Sequence, residues 1–167
     1  MFLSKAEGVF QVILYHGSNR VVDEPLIVKT KYAKDFGWGF YTTQNAAQAE
    51  KWAVRRASGF GGTPTVSSYE FTPSDELLVR SFPDTTSEWL DFIAHCRNLG
   101  LHRYDIVEGP MVDDEVWEYV EDYLEGHISR EECLAFMKFH HAAHQISFHT
   151  ISALSAISFV SSYKVTL

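Results

Sequence analysis

The order of apolar and polar residues along the chain predicts a mixture of short strands and amphipathic helices. Apolar or alternating runs of strand length occur near both ends and between the helical stretches, at 9–15, 66–71, 77–79, 104–107, 145–150 and 156–165. Apolar residues recur at helical spacing over longer stretches, at 44–57, 88–97, 113–125 and 129–141. Because strands and helices do not alternate regularly, we expect an α+β fold rather than a doubly wound sheet.

Local signals refine the ends of these elements. Ser129 and Glu132 stand three residues apart, which is the spacing of a capping box at the start of a helix. Thr42 or Thr43 could cap the alanine-rich helix that follows them. The glycines, serine and proline of 58–64 predict a break in the chain and a mobile loop, and 19–38 is predicted to be loop because it lacks a sustained period.

Length and charge narrow the class of protein. The 167 residues predict a single domain over 1–167, with enough apolar material for one core. The formal net charge of −8 opposes non-specific attraction to nucleic acid or anionic lipid. Lys29, Lys31 and Lys34 nevertheless lie close together, and this cluster is either a solvated loop or a local basic groove.

Cysteine usage and hydropathy bear on the compartment. Cys96 and Cys133 each stand alone inside a helical pattern, without metal-ligand or redox-motif spacing, so we expect two reduced, buried thiols. No apolar stretch approaches the roughly 18 residues that a membrane span needs. The N-terminal residues lack the pattern of a signal peptide. These observations predict a cytoplasmic protein with no membrane partner.

Candidate chemistry concentrates in three places. The first apolar run ends in Tyr15-His16-Gly17-Ser18, which brings an imidazole and a glycine to the end of a strand. About two dozen residues later, Gly37-Trp38-Gly39-Phe40-Tyr41-Thr42-Thr43 places an aromatic ring between glycines and hydroxyl groups. The third place is Gln145, which opens a late strand. A flat aromatic face and an exposed glycine backbone both suit a planar ligand.

In their order and spacing, these motifs resemble the ADP-ribosyltransferase superfamily, in the branch marked by His, Tyr and a third acidic or amide residue. More narrowly, the chain resembles a family of small bacterial proteins of uncharacterised function placed in that superfamily. That resemblance also includes the runs 35–41, 104–107 with Gly109-Pro110, and 145–148. It implies a split β-sandwich of two small, mostly antiparallel sheets with helices packed around it.

The resemblance also implies the site and the reaction. His16 would hold the adenine-side ribose hydroxyls of NAD⁺, Gly17 the nicotinamide carboxamide, and Tyr41 would stack on the nicotinamide ring. The further residues expected to line the NAD⁺ site are Ser18, Phe40 and Thr42. The implied activity is the transfer of ADP-ribose from NAD⁺ to a protein or nucleic acid, without a metal ion. Small bacterial members of this superfamily often act as toxins or defence effectors, so a cognate antitoxin protein is a further expected partner.

Gln145 departs from the family pattern, which usually has Glu at this position. Cleavage of the nicotinamide–ribose bond passes through an oxocarbenium-like state, which a carboxylate stabilises. A neutral amide can orient the ribose hydroxyl but carries no compensating charge. The alternatives are therefore a slower transferase, an enzyme that uses another acid, an NAD⁺ glycohydrolase, or a module that only binds NAD⁺ or ADP-ribose. The candidate substitute acids are Asp113, Asp114 and Glu70.

Four histidines lie close to Gln145 in the sequence: His140, His141, His144 and His149. His140 and His144 are four apart, so on one helix they would share a face, as zinc ligands do. No glutamate follows the first of them as it does in the common zinc motif. We therefore expect ordinary surface or partly buried histidines rather than a metal site.

Overall fold

The computed structural model describes residues 11–31, 33–112, 114–139 and 143–166. The strands are β1 (Val12–Ser18), β2 (Phe40–Thr42), β3 (Thr65–Phe71), β4 (Val79–Ser81), β5 (Ile106–Pro110), β6 (His144–Phe148) and β7 (Ile157–Lys164). The helices are α1 (Ala46–Phe60), α2 (Ser87–Arg97), α3 (Asp114–Leu124), α4 (Arg130–Phe139) and α5 (Ile151–Leu154). The expected α+β class is confirmed, and so are the two small, mostly antiparallel sheets.

The two sheets pack on each other and are joined by a backbone bridge between β1 and the end of β2. The first contains β1, β3 and β7 in that order, all antiparallel, and the second runs β2-β6-β5-β4, with only β4 and β5 parallel. The N–H of Tyr15 donates to the Thr43 carbonyl at 2.8 Å, and the N–H of Thr43 donates back at 3.0 Å. This single bridge joins β1 to the end of β2, and the sheets part beside it.

Side chains on the two faces of the second sheet enter different cores. On the face toward the first sheet, Phe40, Ile146 and Phe148 pack with Leu14 and Phe71. The opposite face is covered by a larger apolar cluster from the helices, the loop before β2 and the residue after β4: Phe36, Phe82, Trp89, Leu90, Ile93, Val116, Val120 and Met137. Because neighbouring residues of a strand point to opposite faces, Tyr41 and Gln145 face the helices while Phe40 and Ile146 face the first sheet.

Several element ends differ from the predictions, each for a local reason. The strand predicted to end at Tyr15 continues to Ser18, because His16, Gly17 and Ser18 pair with β3. The predicted break at Ser58 falls within α1, which ends at Gly61, where φ is 72° and glycine is favoured. Asn45 caps this helix, with its side chain accepting from the Gln48 N–H at 3.3 Å, so the expected threonine cap was wrong.

Two short elements were missed altogether. The three-residue strand β2 and the four-residue helix α5 carry no pattern of their own that is long enough to detect. The capping box is confirmed: the Glu132 N–H donates to Ser129 Oγ at 3.2 Å, and Glu132 Oε2 accepts from the Ser129 N–H at 2.8 Å.

Two further observations concern the cysteines and the apolar character of the helices. Cys96 and Cys133 are free and buried, as expected. Burial raises the pKa of Cys96 to about 12, with Asp35 adding to the effect, so this thiol is protonated at neutral pH. Among the described residues, no helix combines the length and apolar character that crossing a bilayer requires.

Candidate functional site

His16 lies where the two sheets separate, and its ring is fixed in one orientation. Nδ1 lies 2.7 Å from the Tyr41 carbonyl oxygen, and the ring centroid is 4.5 Å from that of Phe40. Burial lowers the pKa of His16 to about 4, the bond to the carbonyl opposes this, and nearby Lys34 and Arg56 add to the lowering. The ring is therefore neutral. A carbonyl only accepts, so Nδ1 carries the proton and Nε2 keeps a lone pair.

Gly17 brings β1 and α1 into direct backbone contact. A Cβ at this position would lie 1.9 Å from the Ala49 carbonyl oxygen, so only glycine fits. The peptide groups of Tyr15 point toward Thr43, and backbone groups two residues apart on a strand point the same way. The N–H and C=O of Gly17 therefore face the gap beside β2, where the described part of the chain supplies them no backbone partner.

Tyr41 turns its ring toward the helices, and its hydroxyl holds the loop before β2. The hydroxyl donates to the Gly37 carbonyl at 2.7 Å and accepts from the Phe36 N–H at 3.0 Å. Burial raises the pKa of this phenol well above its usual value, and Asp35 adds to the shift. Lys34 Nζ lies 4.6 Å from the ring centroid, so an ammonium group occupies one ring face.

Gln145 is buried with its amide bonded to a carboxylate. It stands opposite Gly109 on β5, it is only 6 % exposed, and Nε2 donates to Asp35 Oδ2 at 2.9 Å. Asp35 is 4 % exposed and also accepts from the Val112 N–H at 2.9 Å. Its second oxygen pairs with Arg97, whose Nε lies 3.1 Å away. One cation and two neutral donors thus surround this buried carboxylate.

Sequence reasoning assigned no role to Asp35 or Arg97. Asp35 stands inside the run 35–41 that carried the family resemblance. The signal that could have identified it is an acidic residue directly before the aromatic Phe36. Arg97 lies 62 positions from Asp35, at the end of α2, and no local pattern connects them. The guanidinium centre of Arg97 is 3.5 Å from the ring centroid of Trp117, which fixes its position.

The structure also locates the remaining expected residues of the NAD⁺ site. Phe40 is 5 % exposed and packs between the sheets. Thr42 Oγ1 donates to the Ile146 carbonyl at 3.0 Å, and Ser18 Oγ donates to Asn19 Oδ1 at 3.4 Å. Ser18 and Thr42 are buried as well. These side chains are engaged inside the protein, while His16 and Gly17 offer polar groups at the gap.

Three histidines hold the loop between Phe36 and Tyr41. Besides His16, His102 Nε2 donates to the Phe36 carbonyl and His149 Nδ1 to the Trp38 carbonyl, each at 2.9 Å. Burial lowers the pKa of His149 to about 4 and also lowers the pKa of His102, so both rings are neutral. His149 Nε2 is then an acceptor, and the Ser147 hydroxyl lies 2.8 Å from it.

A groove of about 300 Å³ borders Gln145 at the end of the second sheet. Its polar lining includes Thr43, Gln48, Glu108 and His144. Glu108, which sequence reasoning did not nominate, is 5 % exposed and accepts from Ser81 Oγ at 2.5 Å. Glu108 and Gln145 are thus both among the residues that line this groove, and their side chains leave opposite faces of the second sheet.

The remaining candidates are the substitute acids and the histidines near Gln145. Asp113, His140 and His141 lie outside the described residues, and the side chain of Asp114 is also not described. Glu70 lies on β3, opposite Ile13 and Ser158 of the first sheet. His144 opens strand β6, so the idea of a helix face shared with His140 was wrong. Within the described ranges, no group of three or more metal-binding side chains comes together.

A family model described as "Protein of unknown function (DUF3990)" matches residues 12–159, which is most of the chain. No curated protein and no solved structure matches it.

Proposed function

We propose an NAD⁺-dependent activity for this chain, which belongs to the DUF3990 family of proteins of unknown function. The proposed reaction is the transfer of ADP-ribose from NAD⁺ to a macromolecular acceptor, a protein or a nucleic acid. The observation that carries the proposal is the pair formed by His16 and Gly17 at the gap between the sheets. One offers an imidazole acceptor held by a 2.7 Å bond, and the other offers a strand edge to which the described residues supply no backbone partner.

The polar groups at the gap match those of the dinucleotide. The neutral imidazole of His16 can accept a hydrogen bond from a ribose hydroxyl through Nε2, because Nδ1–H is committed to Tyr41. The carboxamide of nicotinamide has one acceptor and two donors. It can pair with the N–H and C=O of Gly17 as a neighbouring strand would. This pairing supports the nicotinamide end of the proposed site.

Two cations near His16 suit the diphosphate. Lys34 and Arg56 both lower the pKa of His16, so their positive charges lie close to the imidazole. They occur in a chain whose formal net charge is −8, so this positive region is local. Lysine and arginine side chains are the usual protein partners of phosphate oxygens. We therefore assign the diphosphate of NAD⁺ to Lys34 and Arg56.

Stacking on the face of Tyr41 that Lys34 covers would require Lys34 to move. In the present structure the ammonium of Lys34 covers a face of the ring. A bound diphosphate would attract this ammonium more strongly than a ring quadrupole does, because a full negative charge replaces a partial one. Binding of NAD⁺ would then uncover the ring face for nicotinamide. The Tyr41 hydroxyl keeps its two bonds to the loop during this change.

A second candidate function is supported by Gln145. An amide supplies no negative charge to an oxocarbenium-like transition state, and this amide is already bonded to Asp35. A glycohydrolase that uses water as acceptor, or a module that binds NAD⁺ or ADP-ribose without turnover, would tolerate this arrangement. A toxin or defence role with a cognate antitoxin rests on the family resemblance alone.

The test uses NAD⁺ labelled separately on nicotinamide and on the adenine side. Transfer of the adenine-side label to protein or nucleic acid supports the transferase. Release of nicotinamide without transfer supports the glycohydrolase, and saturable binding without release supports the binding module. His16→Ala should weaken NAD⁺ binding, whereas His127→Ala, at an exposed position outside the site, should leave it unchanged. Absence of NAD⁺ binding to the parent protein would end the proposal.

A further inference from the structure

We infer that Asp35 is a positioning residue that fixes the Gln145 amide with its nitrogen inward and its oxygen available to a ligand hydroxyl. The same contact explains why this site carries an amide instead of a carboxylate at position 145. This inference rests on the proposed function for its ligand, the ribose of NAD⁺. The contact between Asp35 and Gln145 itself is independent of that function.

The orientation of the amide follows from the chemistry of its partner. An ionised carboxylate can only accept hydrogen bonds, so the atom of Gln145 that lies 2.9 Å from Asp35 Oδ2 must be Nε2. The opposite orientation would bring two acceptors together. Oε1 is then the remaining polar atom of the side chain, and no described residue donates to it. Gln145 is among the residues that line the groove of about 300 Å³.

The environment of Asp35 keeps this arrangement rigid. Its Oδ2 accepts from both Gln145 and the Val112 N–H, and Oδ1 accepts from Arg97. Arg97 is in turn stacked on Trp117 at 3.5 Å. All of these contacts form around a carboxylate that is 4 % exposed. The amide is therefore held at one end by a fixed anion rather than left free to rotate.

A glutamate at position 145 would change the charge balance. Two carboxylates would then lie within hydrogen-bond distance in a buried region, where Arg97 pairs with Asp35 and Lys34 is the other nearby cation. Like charges so placed cannot both ionise without a large cost, so one of them takes up a proton or moves away. In either case the side-chain oxygen at position 145 is no longer held as it is in Gln145. We therefore expect that the carboxylate usual in the related transferases does not improve this site.

The proposed task of Gln145 is to accept a hydrogen bond from a ribose hydroxyl. Oε1 would orient the sugar for departure of nicotinamide, and the negative charge next to it would remain at Asp35. This charge is one side chain away from the ligand and is partly offset by Arg97. Such an arrangement orients the ligand strongly and stabilises positive charge weakly. This arrangement should give slow turnover of NAD⁺, while the affinity for NAD⁺ is little affected.

The experiment is a charge-exchange cycle of Gln145→Glu, Asp35→Asn and the double variant Asp35→Asn/Gln145→Glu. For each protein, NAD⁺ affinity, kcat and KM for nicotinamide release, and the melting temperature are measured. The two single variants should each lose kcat on the order of 10²-fold, because the amide oxygen is no longer fixed. Gln145→Glu should also melt about 5–10 °C lower than the parent, because it buries a second anion.

The double variant restores one anion and one amide across the same contact. It should recover melting temperature to within about 2 °C of the parent and regain at least about tenfold in kcat over Gln145→Glu. A double variant no more stable or active than the single variants would overturn the inference. So would a Gln145→Glu protein as stable as the parent with higher kcat. If Asp35→Asn alone fails to fold, the comparison of Gln145→Glu with the double variant decides.

The readouts separate this inference from the proposed function. The melting temperatures report the Asp35–Gln145 contact whether or not NAD⁺ is the ligand. If the parent binds no NAD⁺ but the melting temperatures follow the cycle, the proposed function fails and the positioning contact stands. If the parent turns over NAD⁺ and Gln145→Glu raises kcat, the proposed function stands and the positioning role fails.

Discussion

Substitution of Gly17 by alanine is the sharpest available test of how β1 and α1 fit together. The new Cβ would lie 1.9 Å from the Ala49 carbonyl oxygen and 2.8 Å from the Ala53 backbone nitrogen. Both atoms are backbone, so no side chain can rotate away. Contact distances near 3.3 Å would require α1 to move by roughly 1.4 Å from β1.

That displacement has a cost that can be estimated. It would open the small cluster in which Ala49 and Ala53 pack against Val66. Overpacking of a well-packed core costs about 1–3 kcal/mol, and a clash with backbone falls at the upper end of this range. We expect the free energy of unfolding of Gly17→Ala to fall by about 3 kcal/mol. With a urea m-value of about 2 kcal/mol/M, the midpoint would drop by about 1.5 M.

The matched control is Gly59→Ala, in α1, the helix that packs against Gly17. A Cβ at Gly59 would meet no atom within 4 Å. Alanine favours the helical state by about 0.8–1.0 kcal/mol over glycine, so this variant should be more stable than the parent. Both proteins are unfolded in urea at neutral pH and followed by far-ultraviolet circular dichroism. A Gly17→Ala protein within about 0.5 kcal/mol of the parent would refute the account of this contact.

Three further predictions concern stability and ligand binding. Because burial lowers the pKa of His16 and of His149 from 6.5 to about 4, the unfolded state binds more protons between these values. The contribution of each neutral histidine to the free energy of unfolding is complete above pH 6.5 and falls by up to about 3 kcal/mol as the pH decreases toward 4. The double variant His16→Gln/His149→Gln should therefore show a flatter dependence of the free energy of urea unfolding on pH between 7 and 5. Tyr41→Phe leaves a backbone N–H and a carbonyl without their phenol partner and should cost about 1–3 kcal/mol in the same assay, while an unchanged midpoint would contradict the loop contacts. Lys34→Gln should weaken NAD⁺ binding about tenfold, as measured by calorimetry, whereas Lys51→Gln, at an exposed position on α1, should leave it unchanged. An equal loss of NAD⁺ affinity in both variants would remove Lys34 from the diphosphate site.

Local sequence patterns predicted the parts of this fold whose stabilising contacts are local. The helix opened by Ser129 and Glu132 was predicted because both partners of its cap lie within one turn. The longer helices and strands were found because their apolar spacing extends over many residues. Strand β2 was missed because three residues show no period, and it exists as a strand because β6 pairs with it.

For the candidate site, the sequence identified single residues but not the contacts between them. The sequence nominated His16, Gly17, Tyr41 and Gln145 through motifs and a family resemblance, and it predicted the α+β class. It contained no sign that Gln145 would bond to Asp35, because 110 positions separate the two residues. Nor did it indicate that α1 would pack directly on Gly17, which depends on the approach of a helix to a strand.

The sequence by itself therefore determined the longer elements, the class of fold and the residue types available for chemistry. The tertiary structure decided which polar groups are used up inside the protein and which remain for a ligand. It placed Tyr41 and Gln145 on the face of the second sheet opposite Phe40, because side chains alternate along β2 and β6. It also gave the amide at 145 a charged neighbour in Asp35. Burial and pairing of polar groups arise only when distant segments meet, so no local pattern could encode them.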